Sequence, residues 1–290
     1  MVGPSWNVVD DIRELWSFPF MVNAFRAGTI IAVASAVMGW FMVLRRQAFA
    51  GHTLALVGFP GAAGATLIGV SATYGYFAFC VGAALVIAAI PRAGAGSYGH
   101  ESAVTGTVQA FALACGFLFI ALYKGFLNGI NALLFGTFLG ITDPEVVLLL
   151  VVTVVVLAVL AVIGRPLLFV SIDPVAAEAR GIPMRLVATA FLVLLGAAVA
   201  EASQITGTLL VFALLVMPAA TAQALTARPV VSLVLTVVIA VLVTWIGLSA
   251  AYYSVYPIGF FVSSLAFAVY VVTRVARGVG ARAGRAATAS

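Results

Sequence analysis

The stretch Ser171-Ile-Asp-Pro-Val-Ala-Ala-Glu-Ala-Arg-Gly-Ile-Pro183 stands between two long apolar runs, Glu145–Ile163 and Met184–Ala200. It reads as a short capped helix. Asp173 serves as the N-cap, Pro174 suits the first turn, Glu178 is read near the start, and Arg180 with Gly181 closes it. A stiff polar helix between apolar spans is a docking element; the competing reading is an ordinary inter-helix loop.

Composition sets the class around that helix. Of 290 residues, 64% are hydrophobic and 8% charged, and the mean hydropathy is +1.22. So little polar surface cannot solvate a globule, which predicts an all-α polytopic membrane protein. About 20 apolar residues cross a bilayer. The runs that qualify are Phe20–Leu44, Leu54–Val70, Tyr76–Ile90, Ala103–Tyr123, Glu145–Ile163, Met184–Ala200, Gly207–Leu225, Val230–Leu248 and Ile258–Thr273. The second and third are short and Gly-rich, so the expectation is about eight or nine spans.

With nine spans, Arg45, Arg46, Arg92, Arg165, Arg180, Arg185, Arg228, Arg274, Arg277, Arg282 and Arg285 share one side, which is therefore cytoplasmic and holds the Ser171–Pro183 helix. Asp10, Asp11, Glu14, Asp143, Glu145 and Glu201 fall at or near the opposite face. That asymmetry suits cations arriving from outside, and equally suits plain topology bias.

The chain divides into an interfacial N-terminal segment over residues 1–19, a transmembrane permease domain over 20–274 and a disordered basic cytoplasmic tail over 275–290. The start is acidic, with no basic leader of a signal peptide. No nucleotide-binding loop, catalytic triad or metal-finger cysteine pair is present, so the chain is not expected to be an enzyme, and nucleic acid is not an expected partner. A gradient-driven carrier usually needs a carboxylate inside the membrane. The runs end before Glu201 and start at Glu145, which favours a permease powered by a separate ATPase; sodium coupling through carbonyls of broken helices stays open.

Three segments carry a family resemblance. They are Arg45-Arg46-Gln-Ala-Phe-Ala-Gly-His52 running on to Gly58-Phe-Pro60-Gly61, the Ser171–Pro183 helix, and Thr206-Gly207 through Met217-Pro218 to Thr221-Ala222. Together they resemble the membrane permease of zinc, manganese and iron ABC importers. Leu134-Phe135-Gly136-Thr137 to Gly140, and Gly247-Leu-Ser249 to Pro257-Ile-Gly259, fit the same pattern. The resemblance implies a homodimer in the bacterial cytoplasmic membrane, among membrane lipid. It further implies a cytoplasmic ATPase docked on Asp173, Pro174, Glu178 and Gly181, and an extracytoplasmic metal-binding protein delivering the cargo. The chain itself would bind no cofactor; a divalent metal would be its transported substrate.

In that family the segment after the paired arginines carries an aspartate and, four residues on, a histidine, which share one helix face. Here those places hold His52 and Leu56. An imidazole without a hard carboxylate tips the expected cargo toward zinc, ahead of manganese and iron. The other reading of His52 is a hydrogen-bonded imidazole at the cytoplasmic interface. Glu201 is the second candidate on the metal path, as an outer gate. Cys80, Cys115, Met38, Met42 and Met217 read mainly as packing, and His100 beside Glu101 as an inner-side pair. Gly58, Gly61, Ala65 and Gly69 form a small-residue face, Gly58–Gly61 is expected to interrupt its helix, and Pro218 to kink the seventh span. The alternatives are an importer of a chelated metal or small cofactor, for which Leu56 would line an apolar path, and an ATP-independent carrier.

Overall fold

The computed structural model describes residues 8–90, 98–123, 140–254 and 256–288. Among them every regular element is a helix: α1 Val8–Ser17, α2 Pro19–Leu44, α3 Ala48–Leu67, α4 Ala72–Ala89, α5 Tyr98–Leu122, α6 Asp143–Ile172, α7 Pro174–Ala179, α8 Met184–Leu225, α9 Pro229–Tyr252 and α10 Ile258–Thr288. Seven helical stretches are long and apolar enough to cross a membrane; α3 and the shorter apolar helix Leu210–Leu225 accompany them. Leu134–Leu139, Arg92, Lys124 and the side chains of Asp10, Asp11, His100, Glu101, Arg282 and Arg285 lie outside the described residues.

The core is built from α2, α3, α4 and α8, whose buried side chains form one apolar cluster that includes Ile31, Met38, Met42, Leu54, Phe191, Leu195 and Leu214. Outer helices turn large apolar residues outward, among them Phe111 and Phe117 on α5, Val154 and Val162 on α6, and Val234 and Leu242 on α9. In lipid such surface is solvated by acyl chains, and close packing of small residues drives helix association.

α8 is two arms, not one rod. Phe191 stacks on Phe41 of α2 with ring centroids 6.4 Å apart, while a Cβ placed on Gly39 of α2 would overlap the backbone of Leu215. Along a straight helix Phe191 and Leu215 would be roughly 36 Å apart, so the chain doubles back between them. The reversal is at Gly207, which is non-helical with φ 75° and ψ 158°. That region of backbone space is essentially closed to residues with a Cβ. The break therefore lies at Gly207, and helix continues through Pro218, because the wide turn needs a glycine whereas proline is accommodated inside a packed arm. We expect Gly207→Ala to cost about 1–3 kcal/mol, read as a lower midpoint of thermal unfolding of the detergent-solubilised chain.

Two expectations about α3 are corrected. α3 runs unbroken from Ala48 to Leu67 with Pro60 inside it, so Gly58–Gly61 does not interrupt the helix: its glycines serve close packing. Gly69 lies past the helix end at φ 76°, in a turn that closes α3, and is not on the small-residue face. At the C-terminus α10 stays helical through Thr288, where composition suggested a disordered tail; alanine and arginine are strong helix formers and outweigh the scattered glycines. At the other end α1 folds back on α2 through the stacked rings of Trp16 and Phe25, 5.8 Å apart, and Tyr252 donates to Glu14 at 3.2 Å.

Candidate functional site: a capped short helix, a lone histidine and a cavity beside Glu201

The docking segment folds as read, with one change. Asp173 Oδ1 accepts the Ala176 amide at 2.9 Å, the N-cap bond, and Pro174 opens the helix. Gly181, at φ 72°, closes it: its amide reaches Glu178 O, and the Ile182 amide reaches Ala177 O. These are the paired bonds of a Schellman ending. Glu178 is in the last turn, not near the start, because the helix is only six residues long. There its carboxylate gains nothing from the helix dipole and stands exposed to solvent beside exposed Val175, while Ala177 beneath is fully buried.

The turn from α2 to α3 is tied to this segment. Arg46 holds φ 57°, and the bonds Arg46 N to Val43 O and Gln47 N to Met42 O make a Schellman ending with arginine in the place glycine usually takes. Arg45 donates from Nη1 to Ser171 Oγ and from Nε to Gln47 Oε1, each at 3.1 Å, and its guanidinium lies 5.5 Å from the Phe191 ring centroid. One side chain thus joins the end of α6, the first arm of α8 and the start of α3. Sequence reading used Arg45 as a topology marker and as part of the family motif; the contact with Ser171, across 126 positions, left no local signal.

His52 is one turn into α3. Its ring packs on Phe212 of the second α8 arm, centroids 4.6 Å apart, and its Nδ1 is buried without a hydrogen-bond partner. The residue as a whole is half-buried, and Nδ1 is the ring nitrogen left without a hydrogen bond. A nitrogen in that state can ligate a metal while the imidazole is neutral. Neighbouring Thr53 is fully buried and donates to Gln109 of α5 at 2.9 Å. Met38 and Met42 are fully buried in the core; Cys80 is buried, with its thiol on the Leu54 carbonyl at 3.3 Å, and both cysteines are free. Packing accounts for Met38, Met42 and Cys80.

Glu201 departs from its sequence reading. α8 extends past the Ala200 boundary, and Glu201 is inside the bundle at 3% exposure, within the apolar stretch Met184–Thr208. Thr153 of α6 lies 3.3 Å from both carboxylate oxygens. Glu201 lines a cavity of about 160 Å³ formed by the near ends of α4 and α6 and the first α8 arm. These ends lie at the far end of α6 from Ser171 and α7. Among the described residues no group of three or more His, Cys, Asp or Glu side chains converges on one point. Residues predicted from sequence therefore occupy two stations and not one centre.

Comparison with known proteins places this arrangement. The family model described as "ABC 3 transport family" matches residues 17–277. The chain is 30% identical over 249 residues to the manganese transport system membrane protein MntC of Halalkalibacterium halodurans, covering 86% of this chain and 83% of that one. It is 28% identical over 243 residues to the chelated iron transport system membrane protein YfeC of Yersinia pestis, covering 83% and 81%. Among solved structures, PsaBC from Streptococcus pneumoniae in complex with Fab superposes with a TM-score of 0.80 at 24% identity, covering 92% of this chain and 95% of that one. A family match across all the membrane helices, over a fold shared at that level, makes this protein a member of the ABC 3 transport family, a multi-pass permease of the bacterial inner membrane.

Proposed function

We propose that this chain is the membrane subunit of an ATP-driven importer of a divalent first-row transition metal. It works as a homodimer with a cytoplasmic ATPase on α7 and an extracytoplasmic metal-binding protein on the opposite face. The observation that carries the reading is His52, an imidazole held in the bundle with a buried nitrogen that has no partner. The names of the relatives, manganese and chelated-iron transport proteins, support a metal cargo and bring manganese forward. Zinc is the second reading, and the imidazole without a carboxylate beside it favours that ion. Leu56, one turn on, supplies no ligand, so any further donor on the path must come from another helix or a second copy of the chain.

Uptake of manganese, zinc and iron in cells expressing the full transporter tests this. His52→Ala at normal protein level is expected to reduce uptake of the cargo ion at least tenfold. Uptake unchanged by the substitution removes His52 from the path, and no metal uptake by the unaltered transporter turns the assignment toward a chelate.

A further inference from the structure

Glu201 is the one acidic side chain among the described residues that is buried inside a membrane-spanning stretch. The hydroxyl contact it receives from Thr153 is long. Thr153 offers one hydroxyl proton to two carboxylate oxygens, both 3.3 Å away and beyond the ordinary 2.5–3.0 Å range of about this type of bond. A carboxylate has roughly four acceptor sites, so most of its capacity is unmet in surroundings where an unpaired charge is costly. What faces it is space: the cavity of about 160 Å³. One water needs roughly 10–15 Å³ by the same measure, so there is room for a cation with several of its waters.

The remaining polar lining is oxygen-bearing. Gln204 Oε1 takes one bond, from Thr73 Oγ1 at 2.9 Å, and a carbonyl oxygen has a second lone pair. Glu145 stands exposed on the cavity wall, its Oε2 held by the amide and hydroxyl of Thr142 at 2.8 Å each, leaving Oε1 without a protein donor in those bonds. Carboxylate, amide oxygen, hydroxyl and water make a hard donor set, which suits manganese better than zinc or copper.

We propose that this cavity is an outer cation site, in which Glu201, contacted by Thr153, takes a divalent ion together with Gln204 and Glu145 before it reaches His52, and that the oxygen donors of these side chains select manganese. The site deepens the metal-import reading, and two measurements separate the two. The first is manganese binding to the purified full chain, followed by the loss of the free-ion paramagnetic resonance signal. Glu201→Gln is expected to bind at least tenfold more weakly than the unaltered chain. The second is uptake by the full transporter, where Glu201→Gln is expected to raise KM for manganese at least tenfold with the maximal rate within twofold.

Absence of manganese binding to the unaltered chain, or binding and KM unchanged in Glu201→Gln, overturns the site. Uptake of no metal by the unaltered transporter sinks the import reading and leaves the binding result standing. If Glu201→Gln does not accumulate, Thr153→Val decides: a threefold or larger loss of manganese affinity supports the site, and unchanged affinity refutes it.

Discussion

Alanine at Gly75 is expected to remove most folded protein from the membrane, whereas alanine at Gly82, on the same helix, is expected to leave it intact or slightly stabilised. A Cβ on Gly75 would overlap the Gly61 carbonyl oxygen, and a Cβ on Gly61 would overlap that of Gly75. α3 and α4 thus cross backbone to backbone, and neither side can yield by turning a side chain. Overpacking a well-packed core costs about 1–3 kcal/mol and occasionally more; here both obstacles are main chain, so the upper end is expected. Gly82 has nothing within 4 Å of the added atom, and replacing a helical glycine by alanine is favourable by roughly 0.5–1 kcal/mol. Membrane yield and the unfolding midpoint in detergent measure both. Equal behaviour of the two variants would show that the close crossing does not hold the bundle together.

Removing the Arg45 side chain is expected to separate ATP hydrolysis from transport. Under the proposed docking, force from the ATPase enters at α7, whose flanks are the end of α6 and the start of α8. Arg45 grips both, through Ser171 Oγ at 3.1 Å and the Phe191 ring, and is three residues before the helix that carries His52. Arg45→Ala should keep at least half of the assembled transporter's ATPase rate while uptake falls at least tenfold. Arg45→Lys should not rescue it, since an ammonium lacks the planar fork that bonds two partners and stacks on a ring. Gly181→Val, placed where φ is 72° with open space around it, strains the docking helix by about 1–2 kcal/mol, and Glu178→Ala removes its exposed carboxylate; both should lower uptake in the same assay. Uptake within twofold of normal in all of these variants would rule out this route of coupling.

The two stations on the proposed path were unequally legible in the sequence. His52 stood out because it follows paired arginines at a family spacing, and the structure adds the buried, unpartnered nitrogen that spacing cannot convey. Glu201 was misjudged because hydropathy ends a span where a charge begins. The folded chain carries the helix onward and covers the carboxylate with Thr153 from α6, 48 positions away. A carboxylate kept inside a bundle points to an ion path.

Composition and the cap and stop residues around α7 were enough to determine the helical membrane class and the short helix itself, because each acts locally or through the bilayer: apolar length and backbone preference are properties of the chain itself. The Gly61–Gly75 crossing, the grip of Arg45 and the cavity beside Glu201 were decided by tertiary structure alone. Each arises from segments far apart in sequence that meet at atomic range, and such a meeting leaves no mark in the order of residues on either segment.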